Sequence, residues 1–179
     1  MKYNLQRTIL TPEDIQAMVA RVADEINTAT AGEELVVVGV MKGAYIWMAD
    51  LLRAMGRHDD VLMDYIDVSS YVGDSSSGHI TIQRDLKTDL AGKNVLILDE
   101  VVDTGLTLRY LKADFEHRGA KNVLIAVATD KRPEGYMGGV EVDFVGAKVP
   151  NEFLVGYGMD YNEKFRSMDS VKVLELIED

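Results

Sequence analysis

Apolar residues along the chain fall into two rhythms. One is a set of short runs, at 35–40, 95–98 and 123–128, the second bounded by Lys93-Asn94 and by acids. Runs of this length, rich in Val and Ile, predict strands buried on both faces, as in a parallel sheet. The other rhythm is helical. Ile15, Met18, Val19, Val22 and Ile26 recur after the start signal Thr11-Pro12-Glu13-Asp14, where a hydroxyl caps and acids face the helix dipole. Ala44, Trp47, Met48, Leu51, Leu52 and Met55 repeat the stripe up to Gly56, and Leu108, Leu111, Ala113 and Phe115 repeat it up to Gly119. Residues 61–68 and 80–84 read as further strands. Between them the stretch 69–79, SSYVGDSSSGH, loses all periodicity and reads as either a disordered segment or a functional lid. Strands alternating with helices imply an α/β fold, an open parallel sheet flanked by helices, with ligands at the carboxyl ends of its strands.

The segment 140–179 has a different style. Short apolar runs at 142–149, 153–156 and 171–177 are separated by Pro150-Asn151 and by Asp160-Tyr161-Asn162-Glu163. The expectation is one or two small strands over the active edge of the sheet, a short helix and a closing strand, forming a small hood. With 179 residues and 47% hydrophobic content, the chain suits a single domain over 1–179.

A formal net charge of −11 argues against unspecific binding to nucleic acid or anionic membranes, so an anionic ligand would need local cations. The absence of cysteine excludes disulfides, thiol catalysis and cysteine-based zinc sites. His58, His79 and His117 are scattered and read as surface residues. No signal-peptide pattern and no apolar run of membrane-spanning length occurs, so a cytoplasmic enzyme is the simplest placement. The absence of a G-x-x-x-x-G-K-[ST] motif excludes a P-loop nucleotidase.

The chemistry concentrates in residues 95–108, VLILDEVVDTGLTL. An apolar strand emerges at Asp99 and Glu100, and Asp103-Thr104-Gly105-Leu106-Thr107 leads into a helix. The free N–H groups and positive dipole end of a helix start, a glycine that lets backbone approach, and the hydroxyls of Thr104 and Thr107 make a phosphate seat. Acids beside such a seat repel the ligand unless they bind its uncharged parts or a metal. Sugar hydroxyls and Mg²⁺ satisfy that requirement, which suggests a phosphorylated sugar. The plainer reading makes Asp103 a helix N-cap and the acids solvated strand ends.

This pattern resembles the phosphoribosyl-pyrophosphate signature of the type I phosphoribosyltransferases. Further matches narrow the resemblance to the hypoxanthine-guanine, or 6-oxopurine, branch: Met41-Lys42-Gly43, Ser70-Tyr71, Lys131-Arg132, Phe153-Leu154, Gly156-Tyr157, Asp160 to Glu163 and Phe165-Arg166. The resemblance implies a Mg²⁺-dependent transfer of 5-phosphoribosyl from phosphoribosyl pyrophosphate to N9 of hypoxanthine or guanine, in purine salvage. It assigns Asp99, Glu100 and residues 103–107 to the phosphoribosyl group, with Asp103 as general base at purine N7. Met41, Lys42, Gly43 and Arg166 go to pyrophosphate, and Lys131, Phe153 and the backbone of Leu154 to the purine. Ser70 and Tyr71 go to the lid, and Asp160 with Glu100 and Asp99 to the metal. A homo-oligomer, dimer or tetramer, is expected.

Three departures from the family pattern stand out. The acidic pair is Asp-Glu where Glu-Asp is common, Leu106 brings no side-chain cation to the phosphate loop, and Leu154 replaces a common Val. The alternatives are a regulator of the same fold that senses nucleotide, which this acidic chain suits poorly, and a xanthine-selective relative.

Overall fold

The computed structural model describes residues 2–71, 79–136 and 139–177. In chain order the elements are β1 (Lys2–Leu10), α1 (Pro12–Ala29), β2 (Leu35–Met41), α2 (Tyr45–Met55), β3 (Val61–Tyr71), β4 (His79–Arg84), β5 (Asn94–Val102), α3 (Leu106–His117), β6 (Asn122–Asp130), β7 (Phe144–Lys148), β8 (Leu154–Val155) and β9 (Val171–Ile177). The main sheet has the order β4-β3-β2-β5-β6-β7. Its strands run parallel except β4, which pairs antiparallel with β3 at the edge.

The short apolar runs are buried on both faces because alternate residues serve two different layers. Leu35, Val37, Leu96, Leu98, Ala126 and Ala128 pack against Ile15, Val22 and Ile26 of α1 and Trp47 and Leu51 of α2. Their neighbours Val36, Val38, Val95, Ile97, Ile125 and Val127 pack against Leu108, Leu111 and Phe115 of α3. A one-residue slip in any central strand would exchange the two sets, so the register is strongly held. α1 starts with a reciprocal capping box, Asp14 N–H donating to Thr11 Oγ1 at 3.2 Å and Thr11 N–H to Asp14 Oδ2 at 2.9 Å. That arrangement satisfies two of the donors a helix start leaves open.

The hood differs from expectation in three ways. It is a separate sheet of order β1-β9-β8, so residues from both ends of the chain build it. β1 went unassigned because it is exposed along most of its length and lacks alternation; its partner β9 supplies the register, Lys2 opposite Ile177 and Leu10 opposite Val171. The run 142–149, expected in the hood, instead supplies β7 to the main sheet beside β6. No helix occurs among the described residues of 140–177. Where one was expected, Tyr157, Asn162, Glu163 and Phe165 have φ of 48°, 51°, 61° and 74°, which no right-handed helix accommodates.

The stretch expected to be a lid is ordered at both ends as a ladder, with Ser69 opposite Thr81 and Ser70 opposite Ile80. Residues 72–78 lie outside the described residues, as do the side chains of Ser70 and Tyr71.

Candidate active site

Because β2, β5 and β6 are parallel, their carboxyl ends deliver three loops to one edge of the sheet. β5 ends with Asp99 and Glu100 half-buried and Val102 buried, and the chain turns through 103–105 into α3. The N-cap of α3 is Gly105 at φ 73°, with no side-chain cap. The reading of Asp103 as a helix cap therefore gives way. Asp103 is exposed and makes no side-chain hydrogen bond among the described residues. The first helical bond runs from Arg109 N–H to Gly105, which leaves the amides of Leu106, Thr107 and Leu108 facing outward, apart from a long 3.4 Å contact from Leu106 to Thr104 Oγ1. These outward donors form the seat expected for a phosphate. The next loop braces it from behind: Tyr136 Oη donates to the Thr104 carbonyl at 3.4 Å, and a Cβ on Gly139 would lie 2.3 Å from that same oxygen.

Beside the seat, the loop after β2 passes under the acid pair. A Cβ on Gly43 would fall 1.9 Å from Glu100 Oε1, and one on Gly158 of the hood would fall 2.2 Å from the Gly43 carbonyl. Glycine is needed at 43 for close approach alone. The hood is fastened here by Tyr157, whose buried ring meets Trp47 edge-on and whose hydroxyl donates to Asp50 Oδ2 at 3.0 Å. The Met41–Lys42 peptide is cis.

Asp99 and Glu100 have no cationic partner among the described residues. Burial pushes the Asp99 carboxyl well up, and the charge of Glu100 beside it pushes the same way. The cations assigned to pyrophosphate are already engaged. Lys42 Nζ lies 3.1 Å from Glu163 Oε2. Arg166 Nη1 donates to the Gly158 carbonyl at 2.7 Å, and Nη2 sits 2.8 Å from Asp160 Oδ1 and 3.6 Å from Glu163 Oε1. Arg166 Nε is buried without a partner. Asp160, assigned to the metal, also accepts the Glu163 N–H at 2.9 Å, so each of its oxygens carries one hydrogen bond and keeps one lone pair. Lys42, Arg166, Met41 and Tyr45 line one cleft of about 550 Å³.

On the other flank, Lys131 follows β6 and its N–H donates to the Val102 carbonyl at 3.0 Å, tying the loop to the end of β5. Asp130, only 1% exposed, organises what surrounds it. Its carboxylate accepts from Arg132 N at 2.9 Å, Arg132 Nε at 3.0 Å, Arg132 Nη2 at 2.9 Å and Lys148 Nζ at 2.7 Å. Burial works to raise its pKa, and the bonds from Arg132 and Lys148 more than offset that, holding it at about 2. Lys131 and Lys148 share a cleft of about 570 Å³ with Pro150 and Asn151. Phe153 is 47% exposed and meets Tyr161 edge-on, and it lines a groove with Arg7 and Glu152. The Leu154 side chain is buried in the core, so only its main chain remains for a ligand.

The fold thus gathers Lys42, Gly43, Glu100 and Arg166 at one place and sets Lys131 on the adjoining rim. Sequence reasoning missed Asp130 and the pairing of Glu163. An acid closing an apolar run was the only signal for the first, and a spacing of three from Asp160 the only signal for the second.

A model of the phosphoribosyl transferase domain matches residues 6–162. Over 176 residues the chain is 38% identical to the hypoxanthine-guanine phosphoribosyltransferase of Bacillus subtilis (strain 168), spanning 98% of this chain and 96% of that protein. Among solved structures it is similar to a hypoxanthine-guanine phosphoribosyltransferase from Bacillus anthracis, with TM-score 0.87, 32% identity, and 97% and 100% of the two chains covered. A hypoxanthine phosphoribosyltransferase from Staphylococcus aureus superposes with TM-score 0.88 at 34% identity, covering 96% of this chain and 92% of that one.

Proposed function

The chain belongs to the phosphoribosyl transferase family, and from that premise we propose that it is a purine-salvage enzyme of the hypoxanthine-guanine branch. It transfers 5-phosphoribosyl from phosphoribosyl pyrophosphate to N9 of hypoxanthine or guanine and releases pyrophosphate. The observation that carries this reading is what the carboxyl end of β5 leads into: the outward amides of α3, an acid pair with no cation among the described residues, and the Gly43 loop lying directly under Glu100.

In this arrangement the amides of 106–108 hold the 5′-phosphate, and Asp99 and Glu100 accept hydrogen bonds from the ribose hydroxyls. Fixing the sugar at both ends sets C1′ in line between leaving group and base. As the bond from C1′ to the pyrophosphate oxygen breaks, C1′ gains positive character, and Lys42 and Arg166 take up the charge growing on the departing oxygen. Lys131 donates to the purine's exocyclic oxygen. Asp103, exposed and uncommitted, accepts the N7 proton as N9 forms its bond to C1′.

The residues also fit Mg²⁺. Burial and the adjacent charge of Glu100 push Asp99 up, a repulsion that a cation would relieve, and Asp160 keeps free lone pairs. Among the described residues no group of three or more His, Cys, Asp or Glu could by itself hold a metal ion. That suits an ion sharing its shell with the donor's own oxygens. Bound there, Mg²⁺ would neutralise part of the pyrophosphate charge.

Met63 and Tyr65, two positions apart on one face of β3 and 68% and 40% exposed, support a homo-oligomer in which a second copy covers them. No helix among the described residues is long and apolar enough to cross a membrane, and a cytoplasmic location fits this reading. The test is a spectrophotometric assay with donor, Mg²⁺ and each purine base in turn, repeated in excess chelator. Turnover with hypoxanthine or guanine that chelator abolishes is expected. Turnover undiminished by chelator would remove the metal role, and no turnover with any purine would remove the activity.

A further inference from the structure

The two cations of the cleft assigned to pyrophosphate, Lys42 and Arg166, share a carboxylate to which the mechanism gives no task. Glu163 places one oxygen 3.1 Å from Lys42 Nζ and the other 3.6 Å from Arg166 Nη2, thereby bridging the two cations that the leaving group requires. We infer that Glu163 is a working residue of the pyrophosphate half-site, holding Lys42 and Arg166 while no anion does and competing with pyrophosphate for them, so that it hastens departure of the leaving group. The inference rests on the reading of Lys42 and Arg166 as pyrophosphate contacts.

Three features of the turn suit such a competitor. First, the contact joins parts of the chain that are 121 residues apart, the loop after β2 and the hood, so it forms only where the cleft is assembled. Second, the backbone at Glu163 is positioned without its side chain: its N–H donates to Asp160 Oδ2 at 2.9 Å, and Asn162 and Glu163 both hold left-handed φ, at 51° and 61°. The carboxylate can therefore swing out while the turn stays in place. Third, the pair is exposed, with Lys42 at 67% and Glu163 at 63% of side-chain accessibility. Exposed ion pairs shift an equilibrium by about 5-fold at most. That is strong enough to bias an empty site and weak enough for a multiply charged anion to displace.

The test is calorimetric titration of magnesium pyrophosphate into wild type, Glu163→Gln, Lys42→Met and the double variant at low ionic strength, with stopped-flow release of pyrophosphate beside it. Glu163→Gln should tighten pyrophosphate by about 2–5-fold and slow its release by a similar factor. Lys42→Met should weaken binding, and in that background most of the gain from Glu163→Gln should vanish. A fold-only role for Glu163 would not tighten an anion. Unchanged or weaker binding in Glu163→Gln would overturn the inference while leaving the site reading intact. An equal gain in both backgrounds would reduce Glu163 to a diffuse charge and overturn it as well. Undiminished binding in Lys42→Met would overturn the site reading, and the inference with it.

Discussion

Replacing Asp103 by Asn separates chemistry from architecture at this site. The carboxylate is exposed, has no side-chain partner among the described residues, and stands two positions before the true N-cap, Gly105. Its loss as a charge therefore removes no hydrogen bond that supports α3. Surface substitutions of this kind change stability by about 0.5 kcal/mol or less, which in a chain of this size moves Tm by about 2 °C at most. The effect on the chemical step is of another order. Asn keeps the size and shape of the side chain but cannot accept the purine N7 proton, and loss of a positioned general base slows a reaction by about 10²–10⁴. At about 1.4 kcal/mol per factor of ten, that raises the barrier by about 3–5 kcal/mol. Donor affinity should hold, because Asp99, Glu100 and the amides of 106–108, the groups proposed to hold the phosphoribosyl group, are untouched. The assay is single-turnover formation of nucleotide with saturating donor and purine, with a melting curve on the same preparation. Turnover within a factor of about three of wild type would remove Asp103 from proton transfer. A fall in Tm beyond about 5 °C would show that the residue has a structural duty and would refute the argument from its lack of partners.

Lys131→Gln should weaken hypoxanthine or guanine binding by about 10–150-fold through a lost charged hydrogen bond, with donor KM nearly unchanged. Steady-state kinetics with each substrate varied in turn would show this, and equal losses for both would make Lys131 structural. Asp130 predicts a signature in acid. Its pKa of about 2 lies below the ordinary 3.8, so the folded state favours the ionised form, and the stability gained is complete above pH 4 and lost as pH falls toward 2. The shift corresponds to about 2 kcal/mol. Chemical denaturation at stepped pH should find Asp130→Asn less stable than wild type near neutrality, with the gap closing below pH 4; a gap independent of pH would contradict the linkage.

Much of this protein was legible before any coordinate. The runs at 35–40, 95–98 and 123–128 read as strands buried on both sides from their shortness and their Val and Ile content, and each neighbouring residue does find its own apolar layer. The helix start at Thr11 to Asp14 and the strand–turn–helix at 95–108 are local patterns, settled by residues within one turn of each other. What the sequence could not reveal depends on residues far apart. β1 has no apolar alternation and gains its register only by pairing with β9, at the other end of the chain. The turn at 157–165 follows from left-handed backbone that the hood's contacts with α2 and the Gly43 loop hold in place, so the short helix expected in this segment does not form. The charges were least legible of all. Whether Asp99 is pushed up, Asp130 held down or Glu163 engaged is set by burial and by partners such as Lys148 and Lys42 that only the folded chain brings within hydrogen-bonding distance. Periodicity is written in neighbouring residues, whereas desolvation and charge pairing belong to the assembled site.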